Sequence, residues 1–233
     1  PSATVHPSAV ISPGVVVGAD VQIGQNVFIG AGTTIGPRSI IGSGCVLCPN
    51  VTILDEVVIG MNSSIASGAV IGSEGFGFFM LDQQWKQIPH LGSVVIGNNV
   101  TIGANTAIDR GTLESTLIGD GVILDNQIHI AHNVKIGQCT AIAGATNIAG
   151  SATIGQYCRI GGASLIAGHI TICDHVDLLA SSSIRKSICA PGVYSSILGH
   201  LLPQGEWSRA TVHLKNISKI VKKMNQWMAG KHD

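Results

Sequence analysis

The chain has 233 residues, 13 basic and 13 acidic, so its formal net charge is zero, and it carries 30 glycines with only 4% aromatic residues. A neutral chain offers no global field for nucleic acid or an anionic membrane, and no apolar run approaches the ~18 residues needed to span a bilayer. Charged residues are 11% of the chain, against about 25% in ordinary globular domains. A core built on large rings is therefore excluded, and many small aliphatic side chains must be buried in a regular lattice.

The first element is a repeat of six. From Val5 every sixth residue is aliphatic: Val5, Ile11, Val17, Ile23 and so on through Ile65 to Ile71. Glycine often follows, as at Gly18, Gly24, Gly30 and Gly36, and a small or β-branched residue stands two positions before the next aliphatic, as at Val21, Val27 and Thr33. Cys45 occupies one of these small positions and Cys158 another. A Cys in that place reads as a small buried hydrophobe. Cys45-x-x-Cys48 also allows a zinc or redox reading, but no second CxxC follows.

Residues 73–93, SEGFGFFMLDQQWKQIPHLGS, break the register. Phe76, Phe78, Phe79 and Trp85 concentrate four of the chain's nine aromatics here. They either pack this insertion onto the repeat or line an apolar channel. The period resumes at Ile96, Ile102 and Ile108, slips by four residues between Arg110 and Thr116, then runs without a break from Ile118 to Ile184.

A period of six is one side of a triangular coil. Alternation along a short strand points the aliphatic residue and the small residue two before it inward. The following glycine relieves a corner, either from crowding or because φ is positive there. Three hexapeptides close a coil of 18 residues, and coils stack at ~4.8 Å. Twenty-seven hexapeptides predict nine coils over residues 1–188, each burying its aliphatics against its neighbours. A linker is expected over 189–205, punctuated by Pro191 and Pro203. Residues 206–230 carry apolar positions at helical spacing, among them Val212, Ile217, Ile220 and Met224. Arg209, Lys215, Lys219, Lys222 and Lys223 make this tail basic. It reads either as a solvated face or as a docking surface for an acidic partner.

The lattice also predicts a site. Counting strands in threes puts the hexapeptides of Ile130, Ile148 and Ile166 on one side of consecutive coils. His132 and Gly150 stand two residues after their aliphatics, and His169 stands three after its own. One edge should then carry His132, Gly150 and His169, with the histidines two coils, roughly 10 Å, apart. A neutral imidazole there can act as general base, a glycine amide can hold an oxyanion, and Asp125 can fix the His132 tautomer. The alternative is that these are ordinary exposed turn histidines.

The pattern [Ile/Val/Leu]-Gly-x-x-small-x resembles the hexapeptide family, which implies a left-handed parallel β-helix, an all-β fold here followed by an α-helical tail. It also implies a homotrimer with sites in the clefts between subunits. GSEGFGF (72–78), AIDRGTL (107–113), LDNQIHIAHNVKIG (124–137), IGGASLIAGH (160–169) and APGVYSS (190–196) are more specific. Together they resemble the UDP-3-O-(3-hydroxyacyl)glucosamine N-acyltransferases of lipid A biosynthesis. The resemblance implies His132 as general base, Asp125 as its support, Gly150 as oxyanion amide and His169 nearby. It places His129, Asn133, Phe76 and Phe78 around the substrate and Arg209, Lys215, Lys219 and Lys222 toward acyl carrier protein.

The implied reaction moves a 3-hydroxyacyl chain from the phosphopantetheine thioester of acyl carrier protein to the 2-amino group of a UDP-linked glucosamine. No metal or other bound cofactor is expected, nor nucleic acid. The reaction is expected in the cytoplasm, with a product destined for the membrane. The resemblance also implies an N-terminal uridine-binding domain of about one hundred residues. This chain starts in the repeat, at Pro1-Ser2-Ala3-Thr4-Val5, so a truncated or naturally short form is expected. Near the expected acyl channel it reads LLASSSIRKS (178–187), where Ser181, Ser183 and Arg185 are expected to alter the accepted chain length. Other readings are a CoA-dependent sugar acetyltransferase, a zinc enzyme using His129 and His132, and a non-catalytic scaffold.

Overall fold

The computed structural model describes residues 2–196 and 204–229. Residues 1, 197–203 and 230–233, which include part of the expected linker and the expected helix end, lie outside the described residues. The chain divides into a β-helix and a separate helical unit. The β-helix is left-handed and parallel, with three faces of nine, ten and nine stacked strands.

Strands stack in parallel register, with a partner 18 residues on along most of the stack, 37 residues on across the insertion and 22 across the slip. Val10, Phe28 and Val46 line up on one face, and Ala107, His129, Asn147, Leu165 and Ser183 on another. This register brings side chains from different coils together in a column, and the extra residues of the slip loop out without breaking it.

Inside the triangle the aliphatic ladder is closed to solvent from Val21 onward: Ile29, Leu47, Ile71, Ile130 and Ile148 are all 0% exposed. The first coil differs. Val5 and Ile11, at the end of the described stack, are 39% and 40% exposed. Thr and Ser at the small inward positions are buried without cost, since their hydroxyls donate to corner carbonyls. Thr33 Oγ1 donates to Cys48 O at 3.1 Å and Thr140 Oγ1 to Gly155 O at 2.8 Å. Cys45 behaves likewise, its Sγ donating to Gly60 O, and all six cysteines are free.

The corners correct one expectation. The glycine after each aliphatic does relieve crowding: a Cβ on Gly30 would lie 2.4 Å from Pro49 N of the next coil. Positive φ falls elsewhere, three residues after the aliphatic. Asn26, Asn50, Asn133, Ser151 and His169 all sit there at φ between 53° and 62°. Asn is favoured because its short side chain tolerates this region.

The insertion forms an antiparallel hairpin, Phe78–Leu81 with Gln84–Gln87, turning at Asp82 and Gln83 with φ of 49° and 59°. The later register slip is pinned by Arg110, only 9% exposed. Its Nε donates to Gly72 O and its Nη2 meets the Asp55 carboxylate at 3.2 Å. Part of the expected linker belongs to the β-helix, because Gly192–Tyr194 pairs with Val176–Leu178.

The helix α1 runs from Gln204 to Ala229. Leu214, Ile217, Val221, Met224 and Met228 recur at alternating spacings of three and four, a heptad stripe, and all are exposed. Lys215, Lys219, Lys222 and Lys223 share another face. Among the described residues no helix is long and apolar enough to cross a membrane.

Candidate active site

A cavity of about 500 Å³ opens on the face that carries His129, Asn147, Leu165 and Ser183. Its walls include Phe76 from the insertion, Asp109, His132, Gly150, and a string of Ala and Ile side chains ending at Ile184 and Arg185. It thus joins a polar end to a mostly apolar trough running along the stack.

His132 is held on every side. Its Nδ1 lies 3.0 Å from Asn133 Oδ1. That oxygen also receives the Thr112 backbone N–H at 3.0 Å, while Asn133 Nδ2 donates to Glu114 O. A backbone N–H can only donate, so the acceptor is the amide oxygen, and His132 Nδ1 must carry the proton toward it. The free lone pair is then on Nε2. Beneath the ring lies Gly150, where a Cβ would sit 2.6 Å from both Cε1 and Nε2 of His132. Only glycine leaves room for the imidazole. Gly150 N–H, turned outward at the corner, has no acceptor among the described residues.

Within the chain Asp125 does not reach His132. It follows Leu124, at a different corner of the triangle from His132, and its carboxylate accepts from Gly144 N–H and from Asn126. It lines a second groove of about 510 Å³ with Ile123, Leu179 and Val193. Beside it the Arg159 guanidinium, hydrogen-bonded to Asp177, holds that carboxyl below its ordinary range and raises its own pKa.

His169 stands on the predicted edge, but its side chain is not in the wall of this cavity. Its backbone N–H donates to Gly150 O, so it does reach the predicted edge. Standing three residues after Ile166 instead of two, it takes the φ 59° corner, its side chain is exposed, and it does not line the cavity. Asn133 occupies the equivalent position but folds back to bind Thr112.

The carboxylate in the cavity is Asp109, 6% exposed and held by Ser73 Oγ at 2.7 Å. It stands 3.7 Å from His129 Nε2. His129 therefore shares the cavity with His132. Phe76 lines the wall and meets Phe78 at 5.2 Å with the rings tilted by 54°, while Phe78 itself stays outside.

His90 and the Asp109–His129 pair were not legible as site features. His90 lies in the aperiodic IPHLG stretch, and Asp109 meets His129 only through stacking of coils. Arg209, Lys215, Lys219 and Lys222 are exposed on α1. Among the described residues no cluster of three or more His, Cys, Asp or Glu is arranged to hold a metal.

Comparison with known proteins agrees with this fold. Residues 2–37 and 38–73 match the bacterial transferase hexapeptide (six repeats) model, and 93–130 match the hexapeptide repeat of succinyl-transferase. The UDP-N-acetylglucosamine O-acyltransferase of Moraxella catarrhalis superposes with a TM-score of 0.67 at 27% identity, covering 88% of this chain and 77% of that one. The UDP-N-acetylglucosamine acyltransferase of Francisella novicida gives 0.61 at 27%, covering 78% and 61%. The chain is thus a hexapeptide-repeat protein of the bacterial transferase class.

Its relatives are more specific. The UDP-3-O-acylglucosamine N-acyltransferase of Pseudoalteromonas translucida is 54% identical over 150 residues, 64% of this chain and 44% of the relative. That of Dechloromonas aromatica is 52% identical over 156 residues, 67% and 45%. The chain belongs to the UDP-3-O-acylglucosamine N-acyltransferase family. It spans a little under half the length of these relatives.

Proposed function

We propose that this chain carries the acyl-transfer site of a UDP-3-O-acylglucosamine N-acyltransferase, with His132 as general base. The observation that carries the reading is the free His132 Nε2 set over the unengaged Gly150 amide in a largely apolar cavity. The amine of the glucosamine attacks the thioester carbon of a 3-hydroxyacyl group on acyl carrier protein. His132 Nε2 takes the proton the amine loses, and Gly150 N–H receives the developing oxyanion. Collapse expels the phosphopantetheine thiolate, which recovers the proton from His132. The same reading places the reaction in the cytoplasm and its product in the membrane.

Supporting roles follow from position. Phe76 and the Ala-Ile trough suit the acyl chain, and Asn133 fixes the tautomer. The basic face of α1 suits docking of the acidic carrier protein, and its heptad stripe suits a homotrimer. The Asp109–His129 contact supports a second reading, in which His129 is the base.

The test is transfer of a 3-hydroxyacyl group from acyl carrier protein to UDP-3-O-acylglucosamine. We expect activity in the wild type, a loss of about 10²–10⁴-fold in His132→Ala, and a smaller loss in His129→Gln. Activity that survives His132→Ala but vanishes in His129→Gln establishes the second reading. An inactive wild type that also fails to bind either substrate removes both.

A further inference from the structure

The insertion delivers one side chain to His132 that no role so far explains. His90 is 2% exposed. Its Nδ1 lies 3.1 Å from Ile88 O, so Nδ1 carries a proton and donates it to that carbonyl. Its Nε2 is then an acceptor, and it is buried with no hydrogen-bond partner among the described residues. Buried acceptors are rarely left this way, because each costs the desolvation of a polar atom.

That nitrogen lies beside the candidate base. The His90 and His132 rings meet edge-to-face, with centroids 5.2 Å apart at 65°. A Cβ on Gly75 would lie 3.0 Å from both His90 Nε2 and His132 Cβ, and 3.1 Å from His132 Cδ2. The two histidines thus converge on a position only glycine can fill. Gly77 performs the same service behind His90, where a Cβ would meet Cε1 at 2.6 Å. The motif GSEGFGF has a physical purpose here: its glycines let the insertion close tightly enough to press His90 against His132.

We propose that His90 is a positioning residue whose unpaired Nε2 stabilises the imidazolium formed when His132 takes a proton. This rests on the reading of His132 as general base. In the resting enzyme the lone pair has no favourable partner. Once His132 is protonated, positive charge spreads over its ring carbons, and His90 Nε2 and His132 Cδ2 already border the same point beside Gly75. A preorganised dipole in a water-poor site needs no reorientation as charge appears. An interaction weak in the ground state and strong later is the kind that raises kcat. The other ionisable groups sharing the cavity are the Asp109–His129 pair and Arg185, and these set the background field.

Three variants of the full chain separate this role from simple packing. His90→Phe and His90→Leu lack the lone pair at larger and smaller volume, and His90→Gln keeps an acceptor. Ring titration of His132 is followed by NMR, together with kcat/KM against pH and a melting curve. We expect the His132 titration, and with it the acid limb of kcat/KM, to move to lower pH by up to about one unit in His90→Phe and His90→Leu. The plateau should fall by up to about tenfold, the same interaction read as a rate. His90→Gln should recover most of both.

An unchanged His132 titration in both apolar variants overturns the proposal and leaves His90 as filler. The NMR arm needs no turnover. A shifted titration in a protein that transfers no acyl group upholds the His90–His132 coupling while defeating the catalytic reading. A shifted titration with unchanged plateau and limb defeats the His90 role in catalysis alone.

Discussion

Gly150→Ala isolates the geometry on which the proposed base depends. The added Cβ would sit 2.6 Å from both Cε1 and Nε2 of His132. Ordinary carbon contacts begin near ~3.5 Å, so the imidazole must retreat by about 1 Å. It cannot do so freely, because Asn133 holds Nδ1 and Gly75 backs its Cβ. A displacement of that size at a reacting group costs roughly 10²-fold in rate, or about 2.7 kcal/mol. The backbone at Gly150 is not in the positive-φ region, so alanine brings no conformational strain there. The assay is initial-rate hydroxyacyl transfer with a parallel thermal melt. We expect kcat/KM to fall about a hundredfold while the melt stays within a few degrees of wild type. Ser151→Ala is the matched control. It stands at φ 62°, a corner that Ala145 and Ala163 already occupy, and should be silent. A folded Gly150→Ala protein with kcat/KM within twofold of wild type would refute the placement of His132 over this glycine.

Three further outcomes test the fold and the partner surface. Ile130→Ala removes a side chain that is 0% exposed in the middle of the stack, and should cost about 2–5 kcal/mol in denaturant unfolding. A near-neutral result would mean the ladder is not close-packed. Burial pushes the Cys45 and Cys158 thiols above their ordinary value of 9.0. The folded state then holds protons that the unfolded chain releases, so this contribution is complete below pH 9 and declines as pH rises above it. Cys45→Ala should flatten that alkaline decline, and a thiol reagent should reach Cys45 only on unfolding. Lys215→Glu, Lys219→Glu and Lys222→Glu combined should raise KM for the acyl carrier protein donor at low salt, with the gap closing at high salt. A KM independent of both charge and salt would assign the lysines to solvent.

What the sequence made legible, and what it hid, divides by how a contact is made. The six-residue ladder was readable because inward or outward orientation is a local property, fixed by alternation along each strand. The juxtaposition of His132 and Gly150 was readable too, because both stand two residues after their aliphatics, one coil apart. Asp125 was misplaced for the same reason. Seven residues from His132 is more than one side of the triangle, so the carboxylate caps Gly144 at another corner. His169 missed the cavity by one position, since two and three residues after the aliphatic are different sides of one turn.

The remaining site features depend on where the aperiodic insertion lands, and no period encodes that. His90 reaches His132 across 42 residues of sequence, through a hairpin whose path is set by the Gly75 and Gly77 contacts. Asp109 reaches His129 because the strand Ala107–Asp109 stacks beneath His129–Ile130. The division has a functional consequence. The repeat supplies a regular edge that sets the proposed base and amide one coil apart. The insertion adds His90 and Phe76 at the places where proton affinity and chain binding would be tuned. Specificity in this chain should therefore respond more to residues 73–93 than to any outward position of the ladder away from the cavity.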